Sequence, residues 1–214
     1  MIACGAFPSS RYTPPSGIFW RLEEIEPMRP AAFLDRDGTL IRDRGYICSF
    51  HQVRIFPFAA EALRRLRAAG VATVLVTNQS AVARGICTPE QIRALHNRLR
   101  ETLARESALI DAVYWCPFHP RGRVPEFTVD SEMRKPRPGM LLQAARELDL
   151  DLSSSLMVGD KPADIAAGNA AGCTTALVRT GYGAEAEMST AWSPGPDMVG
   201  DDLLDIVRRW LDSR

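Results

Sequence analysis

From Ala31 onward, short apolar runs with no polar alternation recur between segments whose apolar residues fall at three- and four-residue spacing. A strand that is apolar on both faces must be covered on both sides, and helices between such strands supply the cover, so the pattern predicts a parallel sheet. The strand candidates are Ala31–Leu34, Val71–Val76, Ala112–Cys116, Ser155–Val158, Thr174–Val178 and Asp197–Val199. The helix candidates are Ala59–Ala69, Pro89–Glu106, Pro138–Leu148, Pro162–Ala171 and Asp201–Asp212. Thr88-Pro89-Glu90 supplies an N-cap followed by proline at the first helical position, and Gly70 and Gly172 stand where helices should stop. The fold class expected is α/β, a doubly wound Rossmann-like parallel sheet over residues 31–214, with no segment long enough for a large cap domain. Residues 1–30, punctuated by Pro8, Pro14, Pro15, Pro27 and Pro30, read as an irregular N-terminal extension carrying Trp20. Gly195-Pro196 and the Ser and Ala residues near them read as a flexible connector before the last helix.

Charge narrows the function classes. Lys and Arg number 26 and Asp and Glu number 26, and no long run of one sign occurs, so no nucleic-acid or membrane partner is expected. No stretch approaches the length of a membrane span, and no secretory leader is recognised at the N-terminus. The five cysteines, Cys4, Cys48, Cys87, Cys116 and Cys173, are scattered and form no C-x-x-C pair, so reduced thiols in a cytoplasmic, monomeric protein are expected.

In a sheet of this kind ligands bind beyond the carboxyl ends of the strands. Asp35 and Asp37 follow the first strand, Thr77-Asn78-Gln79-Ser80 the second, and Gly159-Asp160-Lys161 the fourth. Any one of these loops reads equally well as a solvated turn, and Asp160 as a helix cap. Together they place three acids and a hydroxyl at one sheet edge. Clustered carboxylates repel unless a cation or a proton intervenes, and hard oxygen ligands suit Mg²⁺, so Asp35, Asp37 and Asp160 form a candidate metal site. An acid at a strand end beside a metal can attack phosphorus, and a second acid two positions on can pass a proton to the leaving oxygen. Asp35 is then the candidate nucleophile and Asp37 the candidate acid and base, with Gly38 allowing the tight turn. Thr77 offers a hydroxyl and Lys135 an ammonium to the phosphoryl group, and Arg134 a second anion contact, in a segment whose backbone is restricted by the prolines on both sides of Arg137.

The ordered set Asp35-x-Asp37-Gly38-Thr39, Thr77-Asn78, Lys135 and Gly159-Asp160-x-x-x-Asp164 resembles the phosphatases of the haloacid dehalogenase superfamily. Within it, "FLDRDGTL", "DRGY", "VTNQSAVARG", "CPFHP", "RKPRPGM" and "MVGDKPADI" resemble the heptose-bisphosphate phosphatases, with histidinol-phosphate phosphatases as close relatives. The likeness covers Ala31 to about Gly183. It implies an Mg²⁺-dependent phosphomonoesterase acting through an aspartyl phosphate on a small phosphorylated sugar. It assigns catalysis to Asp35, Asp37, Thr77 and Lys135, with Asp37 reaching the metal through its backbone carbonyl. Asp43, Arg44, Gly45, Tyr46, Asn78, Gln79, Ser80, Arg134 and Lys161 would contact substrate.

The sequence departs from the resemblance at one place. A zinc-stapled loop in that family uses one Cys-x-His pair and a later Cys-x-Cys pair, and the corresponding positions here are Cys116, Phe118, Ser131 and Met133. One ligand of four does not make a tetrahedral site, so structural zinc is not expected, and apolar packing by Phe118, Phe127 and Met133 takes its place. A broader sugar-phosphate phosphatase remains an alternative within the superfamily. A phospho-accepting signalling module shares an acid cluster, Thr and Lys, but its acid should follow the third strand and Asp37 would have no task.

Overall fold

The computed structural model describes residues 28–188 and 192–214. Cys4 and Trp20, like most of the extension, lie outside the described residues. In chain order the elements are β1 (Ala31–Leu34), α1 (Ala59–Ala68), β2 (Ala72–Asn78), α2 (Pro89–Ala104), β3 (Ala112–Cys116), α3 (Gly139–Leu148), β4 (Leu156–Gly159), α4 (Pro162–Ala171), β5 (Thr174–Val178), α5 (Gly183–Glu187), β6 (Met198–Gly200) and α6 (Leu203–Asp212). The six strands form one parallel sheet in the order β3-β2-β1-β4-β5-β6. The chain winds outward from β1 through β2 to β3, then crosses back to lay β4 on the other side of β1. That reversal opens a crevice at the carboxyl ends of β1 and β4.

Alternation along β1 divides the core. Ala32 and Leu34 face a layer built from α1, α2 and α6, with Leu63, Leu66, Leu99, Ile206 and Trp210. Ala31 and Phe33 face the opposite layer, with Met140, Leu141 and Ala144 of α3 and Ala167 of α4. All four β1 residues are buried, as a central parallel strand requires. The edge strand β3 is only half-buried, yet it is long enough to pair Thr77 with Trp115 and Asn78 with Cys116.

Helix ends follow local chemistry. Thr88 Oγ1 accepts from the Gln91 N–H, and the Gln91 side chain accepts from the Thr88 N–H, which closes a capping box ahead of Pro89. Asp202 caps α6 by accepting from the N–H groups of Leu204 and Asp205, so that helix begins at Leu203 rather than Asp201. Gly172, at φ 82°, ends α4 in a left-handed conformation.

Three expectations are corrected. Thr77 and Asn78 belong to β2 instead of the loop after it, because β3 supplies them with ladder partners. Gly183–Glu187, where no element was expected, forms α5, which packs back on β5. Cys48 and Cys87 are joined in a disulfide with their Cα atoms 5.4 Å apart, whereas reduced thiols were expected. Their separation of 39 residues leaves no local pattern by which the pairing could be read. Cys116 and Cys173 are free and buried.

Candidate active site

Asp35 is the first residue past β1, and its N–H still donates to Val158 O of β4 at 2.9 Å, so the ladder fixes its backbone at the crevice. Lys135 reaches it from 100 residues away, its Nζ 2.8 Å from Asp35 Oδ1, 2.6 Å from Asp164 Oδ1 and 2.7 Å from Val76 O. These three acceptors surround an ammonium that is 3% exposed. Burial pulls the Lys135 pKa down, but the charges of Asp164 and Asp35 outweigh it and leave the pKa above the ordinary lysine value. Lys135 is therefore a fixed cation, and it leaves Asp35 Oδ2 without a hydrogen bond among the described residues.

Asn78 explains how Lys135 is held. Its Nδ2 donates to Lys135 O at 2.9 Å and its Oδ1 accepts from the Lys135 N–H at 3.1 Å. The Asn78 amide, expected among the substrate contacts, is thus committed to the Lys135 backbone. Gln79 is likewise occupied: its Nε2 donates to Thr77 Oγ1 at 2.9 Å and to Asp37 Oδ2 at 3.2 Å. Thr77 is buried at the cleft floor with its hydroxyl oriented by that amide.

Asp160, the first residue past β4, is fully buried. Its Oδ2 accepts from the Tyr182 N–H at 2.9 Å, while Oδ1 has no hydrogen bond and meets only the Lys161 ammonium at 3.3 Å. Burial, and then the charge of Asp35, push its pKa up to about 7. Gly38 and Gly181, at φ 84° and 61°, press their Cα atoms against this carboxylate, where a Cβ would collide with it. Ligand oxygens of Asp35, Asp160 and Asp164 lie within 4.8 Å of one another. An all-oxygen set with a buried, unsatisfied Asp160 oxygen fits a hard divalent cation. Asp164 is committed to Lys135 and, through Oδ2, to the Lys161 N–H at 3.0 Å. Asp35 Oδ2, the Asp37 carbonyl and Asp160 are the atoms that would hold Mg²⁺, which supplies charge neutralisation for the phosphoryl group when bound.

A cleft of about 620 Å³ opens above these groups, lined by Asp35, Asp37, Thr77, Arg134, Lys135 and Lys161 among others. Asp43, Gly45, Tyr46, Asn78, Gln79 and Ser80 also line it. Arg44, expected with them, is exposed and stands outside the lining. Lys161 bridges the two sides, 3.0 Å from Asp43 Oδ2 and 4.8 Å from the Tyr182 ring centroid. Arg134 is anchored by donating to Phe118 O at 3.1 Å.

Sequence reasoning quoted Asp164 in a motif but gave it no part; its partner is visible only once Lys135 is folded back against it. It also passed over Tyr182, although the residue follows β5 at the same sheet edge, the rule that found Asp35 and Asp160. Arg36 had no signal at all: a charged residue between two aspartates reads as solvated, yet it is 1% exposed.

A HAD-hydrolase-like family profile matches residues 132–206. The D-glycero-beta-D-manno-heptose-1,7-bisphosphate 7-phosphatase of Yersinia pestis is 46% identical over 180 residues, spanning 84% of this chain and 94% of that protein. The protein of the same name from Escherichia coli K12 is 44% identical over 169 residues, 76% of this chain and 87% of its own length. Among solved structures, the D,D-heptose 1,7-bisphosphate phosphatase of B. bronchiseptica, described as complexed with magnesium and phosphate, superposes with a TM-score of 0.77 at 32% identity, covering 86% of this chain and 99% of that one. Likeness of this extent, running through the β1, β4 and Lys135 segments that build the site, shows that the chain belongs to the D-glycero-D-manno-heptose-1,7-bisphosphate 7-phosphatase family of HAD-like phosphatases.

Proposed function

We propose that this chain removes the 7-phosphate of D-glycero-D-manno-heptose 1,7-bisphosphate through an aspartyl phosphate. Asp35 Oδ2 attacks phosphorus, the phosphorus–oxygen bond to the sugar breaks, and Asp37 gives its proton to the departing sugar oxygen. Asp37 then takes a proton from water, whose oxygen attacks the phosphorus of the aspartyl phosphate and frees inorganic phosphate and Asp35. Lys135 and Thr77 face the phosphoryl group, whose oxygens carry the charge that the ammonium offsets. Bound Mg²⁺ neutralises the same oxygens. Arg134 and Lys161, at the cleft walls, are the cations for the rest of the bisphosphate.

The observation that carries this reading is the buried contact of Lys135 with both Asp35 and Asp164, beside Asp160, at the topological reversal of the sheet. The test is a comparison of kcat/KM on heptose bisphosphate, histidinol phosphate and fructose bisphosphate, with and without Mg²⁺. Heptose bisphosphate should lead and chelation should stop turnover, while Asp35→Asn should be folded and inactive. Preference for another substrate would instead support a broader sugar-phosphate phosphatase, a reading the open cleft also permits.

Zinc has no part in this proposal. Residues 117–134 are tied by other means: the Phe118 and Phe127 rings lie 6.1 Å apart, the His119 N–H donates to Phe127 O at 3.1 Å, and the Val124 N–H donates to Ala83 O at 3.0 Å. Met133 packs against the α3 side of the core, and Cys116, buried in the same cluster, donates its Sγ–H to Phe118 O at 3.9 Å. The proposal keeps the enzyme monomeric and in the cytoplasm, since a sugar bisphosphate does not cross a bilayer unaided. No helix of the described residues is long and apolar enough to span a membrane.

A further inference from the structure

Arg36 lies between the two catalytic aspartates, yet its guanidinium turns away from the cleft into the protein. Its Nε is 3.1 Å from Asp37 Oδ2, and its NH2 group is 2.9 Å from Oδ2 and 3.2 Å from Oδ1. The same NH2 donates to Gln79 Oε1 at 2.9 Å, and NH1 donates to His96 Nε2 at 3.1 Å. Gln79 returns to the carboxylate, its Nε2 3.2 Å from Oδ2. The His96 ring is set edge-on against Trp115, with 6.1 Å between centroids. An arginine buried this deeply gains little stability over a well-packed apolar residue, because desolvation offsets the attraction to its partner. Its cost is intelligible if the guanidinium fixes something that must not move.

We propose that Arg36, seated on His96 and Gln79, is the positioning residue for Asp37, its fork spanning both carboxyl oxygens so that Oδ1, the less engaged of the two, is the oxygen that gives and takes the proton. Oδ2 accepts from two N–H donors, Arg36 Nε and Gln79 Nε2, whereas Oδ1 accepts from one, the Arg36 NH2 at 3.2 Å. A proton on Oδ2 would face two donors and a proton on Oδ1 only one, so the proposal places it on Oδ1. The planar fork fixes the plane of the carboxyl group as well as its place, which a lysine ammonium cannot do. Arg36 touches neither substrate nor phosphorus in this scheme and acts only through Asp37.

The inference rests on Asp37 acting as general acid, as in the proposed function, and its test uses the leaving group. A sugar alkoxide leaves poorly unless protonated, whereas p-nitrophenolate leaves without help, and kcat/KM reports the first phosphoryl transfer for each. In Arg36→Met, kcat/KM for heptose bisphosphate should fall by roughly 100-fold and that for p-nitrophenyl phosphate by less than about 3-fold, a general acid being worth 10²–10⁴. Asp37→Asn sets the benchmark for the same split, and Arg36→Lys should recover little of it. Because Arg36→Met can fail to fold, a second pair carries the test independently. His96→Leu removes the acceptor under Arg36 and should show a smaller split of the same sense, while His96→Gln restores an acceptor and the wild-type ratio. Equal losses on both substrates in folded Arg36→Met, or in His96→Leu, would overturn the proposal and leave Arg36 a packing residue. Any alkyl phosphate that the wild-type enzyme turns over, fructose bisphosphate included, can replace the heptose, so an error in substrate identity is distinguishable from an error here.

Discussion

His96 makes the stability of this fold depend on pH in a way that can be calculated in advance. The imidazole is 3% exposed, and burial first, then the charge of Arg36, lower its pKa to about 3. An NH1 donor 3.1 Å from Nε2 requires that nitrogen to be an acceptor, so His96 is neutral with its proton on Nδ1, an atom buried without a partner. In the unfolded chain the same ring has an ordinary pKa of about 6.5. The folded value lies below the unfolded one. Above about pH 6.5 both states are therefore neutral and nothing is lost; as pH falls further the unfolded chain takes up a proton that the folded chain refuses. At about pH 5 the difference is roughly 2 kcal/mol, and the loss continues toward the folded pKa. The assay is urea unfolding at about pH 8 and about pH 5 for wild type and for His96→Gln, which cannot titrate but still offers Arg36 an oxygen. Wild type should lose about 2 kcal/mol more than the variant over this interval, a relative midpoint shift of roughly 1 M urea. Parallel pH dependences would refute the reasoning, because they would show His96 titrating freely in the folded state.

Three further perturbations have defined outcomes. Gly181→Ala places a Cβ into the Asp160 carboxylate at a positive φ, so turnover should fall by more than about 10-fold, with Mg²⁺ titration showing weaker activation, while Gly70→Ala at the end of α1, also at a positive φ but with its Cβ in open space, should leave the Mg²⁺ response unchanged. Asp164→Ala removes one of two carboxylates from a buried ammonium and should destabilise the fold by about 3–5 kcal/mol in denaturant unfolding. Reducing Cys48–Cys87 opens a loop closed by a separation of 39 residues and should cost up to about 4 kcal/mol in the chain-entropy account, read as a lower midpoint for the reduced protein and no change on adding reductant to Cys87→Ser.

The parts of the fold set by repetition could be read from the chain. β1, β3, β5 and α4 fall on the residues expected because each is an apolar run bounded by its own stop signal, Gly172 after α4 being the plainest. β2 ran two residues past its apolar stretch because Trp115 and Cys116 offered backbone partners, a tertiary effect that hydrophobicity does not encode. α5 escaped notice because a five-residue helix lacks a full period of its pattern. At the site, Asp35, Thr77 and Asp160 were visible in advance from their place at strand ends, whereas Asp37 and Lys135 were named from their chemistry and motif, without the contacts that hold them. The amides of Asn78 and Gln79 were also foreseen at the site, but the bonds they make, to the Lys135 backbone and to Thr77 and Asp37, depend on segments 57 and 42 residues away. The Cys48–Cys87 pairing was hidden for the same reason.

The charge arrangement follows from that distribution of roles. Around the crevice Asp35, Asp37, Asp43, Asp160 and Asp164 pair with Arg36, Lys135 and Lys161, five carboxylates on three cations, while Arg134, also in the cleft lining, donates to Phe118 O instead. Each of the three paired cations has a dedicated acid: Arg36 serves Asp37 from behind the cleft, Lys135 lies between Asp35 and Asp164, and Lys161 reaches Asp43 at 3.0 Å before Asp160 at 3.3 Å. The deficit therefore falls on Asp160 and on the unbonded oxygen of Asp35, the two atoms that flank the sheet reversal. Burial leaves only two remedies, a proton on Asp160, whose pKa is raised to about 7, or a divalent cation shared with Asp35. The substrate selects between them, because a phosphoryl group adds further negative charge at the same place and a single proton cannot balance it. The two glycines packed on Asp160 bar any side chain from that side, so the carboxylate cannot retreat from the crevice when the cation is absent. Metal dependence in this protein is thus a consequence of how the other cations are spent, and a variant that freed Lys161 from Asp43, such as Asp43→Asn, should lower the Mg²⁺ affinity by placing its ammonium more firmly on Asp160. Tighter Mg²⁺ binding in Asp43→Asn, measured by activation of turnover, would show that Lys161 does not compete for that oxygen.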